Sequence, residues 1–220
     1  MSKPKATRNR RRRGRELALQ ALFSLDHQNP GIGATLYRIK ERALVAELEC
    51  LADDGEREES RTTAQALLQL DPKHPFALEV LAWLDGKGPI PLTPTKDERA
   101  ELEAVRGGLD ELAFCELLVK GVCDHKEAID ALLSGSSTNW KVARMAVVDR
   151  NILRMGVYEL QHLGDIPPRV TLNEAIEIGK RYGTTDSGAF INGLLDKVAA
   201  QLGHVRGGET HASGPANDAE

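Results

Sequence analysis

Apolar residues in this chain recur at helical spacing wherever they are dense, and no stretch alternates apolar and polar residues long enough to suggest a sheet strand. A first helix is expected over about 12–26. Leu17, Ala18, Ala21, Leu22 and Leu25 form its inner stripe, while Leu19 and Phe23 fall on another side. Such a helix is either central in a bundle or shows one side to a partner. Asn29-Pro30-Gly31-Ile32-Gly33 breaks it. Residues 36–51, 62–70 and 76–84 read as helices, divided by a polar turn at 53–60 and by Asp71-Pro72. A Pro/Gly-rich linker at 86–95 leads to a charged helix at 96–108 and an apolar one at 109–126, then a short helical turn at 128–133. Asn139 stands where it can cap a long helix from Trp140 to about Leu163. Met145, Val148, Ile152, Leu153, Met155, Val157 and Leu160 make that helix apolar nearly all round, so it is expected to be buried and central.

The most clearly marked stretch is 165–199, which reads as two helices around a tight loop. Pro167 and Pro168 cannot continue a preceding helix. Thr171 and Glu174 have the spacing of a capping box. Gly183 sits where a left-handed residue would end the helix, and 184–187 offer the next N-cap. The second helix carries Ile191, Leu194, Leu195, Val198 and Leu202 on one stripe. Phe190 lies off that stripe, on the side of Asp186 and Lys197. It either packs against a neighbour on the flank or leaves a flat ring for a base or a partner.

Charge changes the picture more than composition does. Lys3, Lys5, Arg8, Arg10, Arg11, Arg12, Arg13 and Arg15 precede the first acid, Glu16, in a chain whose net charge is −4; the remainder therefore carries −12. A basic arm on an acidic body suggests a polyanionic partner. Residues 1–13 have no hydrophobic face and are expected to be disordered, as is the small, polar tail at 203–220. The 220 residues suffice for one domain with an insertion, and the 4% of aromatic residues, with abundant Leu and Ala, favours an all-helical chain. Three cysteines without CxxC spacing fit a reducing, cytoplasmic setting. No apolar run is long enough to span a membrane, and no secretory signal is expected.

Catalytic chemistry has no visible carrier. The six histidines lack HxxxH spacing or a cysteine partner, so no metal is expected. There is no GxSxG, and Gly179-Lys180-Arg181 lacks the upstream glycine and strand of a phosphate-binding loop. No catalytic residue and no cofactor are assigned. Residues 66–84 have the look of one tetratricopeptide-like junction, although a single unit cannot bury its own faces; an ordinary helical hairpin is the other reading.

The run at 165–199, WKVARMAVVDRNILRMGVYEL at 140–160, RRRRGRELALQALFSLD at 10–26 and FCELLVKGVCDHKEAIDALLSGSSTNW at 114–140 resemble the bacterial transcription antitermination factor NusB family. The resemblance covers about 10–28 and 100–202. It implies an all-α fold of two three-helix bundles, divided here as a NusB-like domain at 14–33 and 96–202 with a helical insertion at 34–95. It implies binding of boxA single-stranded RNA in nascent ribosomal RNA, together with the ribosomal protein NusE, in an RNA polymerase antitermination complex. By matching positions, RNA contacts fall on Arg11, Arg12, Arg13, Arg15, Gln20, Asp186 and Phe190, and Arg10 extends the basic run. NusE contacts fall on Phe23, where the family often has Tyr, and on Asp149, which could instead pair internally with Arg144. The alternative is a protein–protein adaptor that uses the inserted helices, with RNA binding incidental. NusB-like domains also precede RNA methyltransferase domains, but no glycine-rich cofactor loop follows here, so an enzyme is not expected.

Overall fold

A computed structural model describes residues 5–28, 30–89, 91, 94–137 and 141–204, with the side chains of 5–9 excepted. These residues form ten α-helices and one 3₁₀ turn, with no strand among them. In chain order the helices are α1 (Lys5–Gln28), α2 (Ile32–Asp54), α3 (Arg57–Leu70), α4 (Pro75–Leu84), α5 (Lys96–Val105), α6 (Leu109–Asp124), α7 (Lys126–Ser136), α8 (Val147–His162), α9 (Pro168–Tyr182) and α10 (Ser187–Gln201). The fold is all-α. One bundle is made of α8, α9 and α10; α1, α2 and α6 pack together as the other, and α8 lies against both α1 and α6. The inserted α3 packs on α2 and α4, and α5 runs along α2. Leu36, Ala43, Leu44 and Leu48 of α2 belong to the same apolar core as Leu17, Leu118, Leu153 and Leu195.

Local chemistry explains several helix ends. Gly55 closes α2 in the left-handed conformation (φ 76°), and Glu56 N donates to Leu51 O. Thr95 and Glu98 form a full capping box at the start of α5. The long α6–α8 contact depends on Gly121, where an added Cβ would fall inside the Tyr158 ring.

Five expectations are corrected. Residues 5–13 are helical, not an unstructured arm, because Arg10 to Arg13 find carboxylates and carbonyls on neighbouring helices. The 53–60 turn is shorter, since α3 begins at Arg57. The helix expected from Trp140 begins at Val147. The segment before it tucks Val142 and Met145 into the core through a 3₁₀ turn, and Asn139 and Trp140 lie outside the described residues. Thr171 and Glu174 form no capping box. Proline preorganises the first turn of α9 from Pro168, which leaves both side chains for long-range partners. Gly183 is extended (φ −95°) rather than left-handed; it is needed because a Cβ there would collide with Ser187 Oγ. Of the 203–220 tail, 205–220 lie outside the described residues. His204 faces Leu160 O at 3.0 Å.

Candidate nucleic-acid interface

The basic residues of α1 are sorted by depth. Arg15 is 3% exposed, and its Nε and Nη2 donate to the two carboxylate oxygens of Glu159 at 2.7 and 2.8 Å. Thr171 Oγ1 completes the shell by donating to Glu159 Oε2 at 2.9 Å. Arg15 is therefore corrected from an RNA contact to a buried strut between α1, α8 and α9. Arg12 makes a similar fork to Glu174 at 2.6 and 2.9 Å, but on an open edge. The hydrogen bond with Glu174 raises the Arg12 pKa, so this guanidinium stays charged. Arg13 donates to Arg106 O, Ala104 O and Glu16 Oε2. Arg10 reaches Asp110 at 3.0 Å and Arg11 reaches Asp165 at 2.8 Å; both remain exposed.

A residue not foreseen joins them. Arg181, in the last turn of α9, donates to Glu16 Oε1 at 2.8 Å while its side chain stays 60% exposed. Buried Glu16 thus holds Arg13 of α1 with one oxygen and Arg181 of α9 with the other. The Arg181 guanidinium also lies 5.2 Å from the Tyr182 ring centre. A basic residue at a helix C-terminus was visible in the sequence; its pairing 165 positions away carried no local signal. Arg10, Arg12, Arg13 and Arg181 line one open groove of about 850 Å³. Glu47 of α2 and Glu58 and Glu59 of α3 line the same groove.

The loop after α9 leads directly to the other expected RNA residues. Asp186 is exposed at the N-cap position of α10 and makes no side-chain cap bond. Phe190, in the first turn of α10, is half-buried and packed against the core, as the flank-packing reading expects. Gln20 is half-buried on α1.

A second region lies where the end of α1 meets the start of α8. Phe23 is 40% exposed and stacks on His27, with ring centres 4.3 Å apart. Asp26 receives Arg150 at 2.9 Å and Arg154 at 3.3 Å, while Arg154 also forks to Asp130 of α7. Burial pushes the Asp26 pKa up, but the Arg150 hydrogen bond and the Arg154 charge outweigh it, and the net shift is downward. Asp149 beside them is only 7% exposed, and its Oδ1 has no hydrogen-bond partner. The alternative pair with Arg144 is not formed. No cluster among the described residues could hold a metal ion, and no described helix is long and apolar enough to cross a membrane.

A profile of the NusB family matches residues 94–200. The chain is 46% identical over 112 residues to the transcription antitermination protein NusB of Syntrophus aciditrophicus, covering 51% of this chain and 69% of the relative. The chain belongs to the NusB family. The NusB of Geobacter sulfurreducens is 50% identical over 100 residues, covering 46% of this chain and 72% of that NusB. A chain in a solved structure titled "Crystal Structure of a Plectonemic RNA Supercoil" covers 87% of this chain and 95% of its own length, at 19% identity and a TM-score of 0.51, a likeness of fold alone. The NusB profile spans α5 to α10, including Asp149, Asp186 and Phe190; the arginines of α1 lie outside it.

Proposed function

We propose that this NusB-family chain is a transcription antitermination factor without enzymatic activity. It binds boxA-type single-stranded RNA of nascent ribosomal RNA, acts with NusE in the cytoplasm, and helps make RNA polymerase resistant to termination. The observation that carries the RNA assignment is the arginine edge, in which Glu16 joins Arg13 to Arg181 beside Arg10 and Arg12 on an open groove. Guanidinium groups bind phosphate through forked hydrogen bonds and release counterions when they do so. In this reading Arg11, Gln20 and Asp186 add polar contacts, and the half-buried Phe190 stacks a base.

For NusE, Phe23 supplies an exposed ring and Asp149 a buried acceptor with no partner of its own. An unsatisfied buried acceptor is costly, and a donor from a bound protein removes that cost. Phe23 lacks the hydroxyl of the family's usual Tyr, so its contribution is packing alone. The test is a filter-binding titration of boxA RNA with and without NusE. Expected is a complex tightened by NusE and weakened by Arg12→Ala with Arg13→Ala, and separately a loss of the NusE effect in Asp149→Asn. Binding to RNA that is indifferent to both arginines would overturn the assignment.

The adaptor reading has one observation in its favour. Val45, Leu102 and Val105 line a second groove of about 710 Å³ between α2 and α5. Deleting the inserted helices and losing protein partners with RNA affinity intact would favour that reading.

A further inference from the structure

The groove of about 710 Å³ between α2 and α5 is not used by the RNA assignment. From α2 it is lined by Glu41, Val45 and Glu49, each about one turn from the next. From α5 it is lined by Glu98, Leu102 and Val105, again about a turn apart, and by Glu101. Both helices thus bring carboxylates and apolar side chains to one concave surface. Among the described residues none of these four carboxylates has a salt bridge, and Arg42 is the one cationic residue lining the groove. Burial and the charge of Glu98 raise the Glu49 pKa, which marks a carboxylate short of a counter-charge. A further polar group lines the same groove. His74, the N-cap of α4, is only 9% exposed, and its Nδ1 accepts from Ala77 N at 3.3 Å. An accepting Nδ1 leaves the proton on Nε2, and that donor has no hydrogen-bond partner among the described residues.

We propose that this groove binds a basic amphipathic helix of another protein, with the apolar stripe of that helix on Val45, Leu102 and Val105 and its Lys or Arg side chains on Glu41, Glu49 and Glu101. The spacings on α2 and α5 are those of the ridges between which a third helix packs, and a docked helix offers its anchors at i, i+4 and i+7. Burial of the apolar floor supplies affinity, while the carboxylates select the partner by sign of charge. A nucleic acid is rejected by the same acids. A second copy of this chain is a poor occupant, because its basic run, Arg10 to Arg13, already holds carboxylates and carbonyls of its own body. His74 Nε2 donates to a carbonyl of the docked segment, which satisfies a nearly buried polar group. This goes beyond the RNA assignment and gives the adaptor reading a partner of defined chemistry, so its failure leaves RNA binding untouched.

The experiment is fluorescence anisotropy on the full chain with a labelled, helix-forming peptide that carries leucine at i, i+4 and i+7 and arginines on both flanks of that stripe. Saturable binding is expected, weakened about tenfold or more when the leucines become glutamine or the arginines become glutamate. These changes lie in the peptide, so they leave the folding of the chain alone. E41Q/E49Q/E101Q should weaken the peptide about tenfold, as three exposed ion pairs allow. His74→Ser keeps an N-cap acceptor, loses the second donor, and should weaken it about threefold. D124N/E127Q/E177Q, three exposed acids outside the groove, should leave peptide binding unchanged. At about 0.15 M salt, where distant charges are screened, boxA RNA affinity should stay within about twofold of wild type in E41Q/E49Q/E101Q. A wild type that does not bind the peptide overturns the proposal, as does binding indifferent to the leucines or weakened equally by D124N/E127Q/E177Q. A dimer of the chain alone, seen by sedimentation and lost in E41Q/E49Q/E101Q, would make a second copy the occupant and overturn it as well.

Discussion

Arg15 and Arg181 both hold a buried carboxylate, and their own burial separates them. Arg15 and Glu159 bury both charges, and each leaves the other uncompensated if removed. Removing one partner of such a pair costs about 3–5 kcal/mol. Arg15→Ala and Glu159→Ala should both lower the midpoint of denaturant unfolding, and the RNA affinity of Arg15→Ala, measured on its folded fraction, should match wild type. Arg181 holds a buried carboxylate from an exposed position. Arg181→Ala should weaken RNA binding about threefold to tenfold through one lost phosphate contact, and because buried Glu16 keeps Arg13 it should lower stability by less than Arg15→Ala does. Titration and urea unfolding of the same variant check both halves. Phe190 stands between these cases: half-buried, it should cost both stability and, if a base stacks on it, about 1–3 kcal/mol of RNA affinity when changed to Ala.

At the scale of helices, α6 and α8 approach through Gly121 and Tyr158, and Arg154 of α8 ties α1 through Asp26 and α7 through Asp130. Gly121→Ala must move the Tyr158 ring or part the two helices. It should destabilise by about 1–3 kcal/mol or more, read as a lower melting temperature, although alanine is the better helix former. Asp26 has a folded pKa below its ordinary value. A depressed carboxylate contributes stability that is present above the unfolded pKa and is lost as pH falls through the folded one. The stability gap between wild type and Asp26→Asn should therefore be widest near neutral pH and should close as pH falls below about 3.9. The helices themselves were legible from periodicity, since the stripes Leu17–Leu22 and Ile191–Val198 are the buried faces observed. Their ends were less so. Thr171 and Glu174 have capping-box spacing, yet Pro168 starts the helix and the two side chains serve Glu159 and Arg12 instead. Local spacing cannot reveal an acid's true partner when that partner lies 162 residues away. The arginine edge was legible as composition, but not its sorting into the buried Arg15 and the exposed Arg10, nor the Glu16 link to Arg181.

Over the whole molecule, charge runs against the proposed function, and that opposition sets its salt dependence. The chain carries −4 overall, and every candidate phosphate ligand already holds a carboxylate or carbonyl. Binding is then an exchange in which phosphate displaces or shares a carboxylate's arginine, while the net negative body repels the strand at distances set by screening, about 10 Å at 0.1 M salt. Two effects of salt compete. Counterion release makes affinity fall with salt by a slope of about −0.7 per phosphate on a single strand, so about four contacts through Arg10, Arg11, Arg12 and Arg181 give a log–log slope near −3. Screening of the acidic body works the other way and should flatten the curve at the lowest salt, below about 0.05 M, where the Debye length is longest. The expected plot is thus curved at its low-salt end and straight near −3 above it. Arg10→Ala with Arg11→Ala should reduce the straight part by about 1.4, and neutralising acids of the body should lessen the curvature without changing that slope. A plot that is straight throughout with a slope shallower than about −1 would mean that the arginines keep their carboxylates in the complex, and that the RNA is held by stacking and base contacts instead.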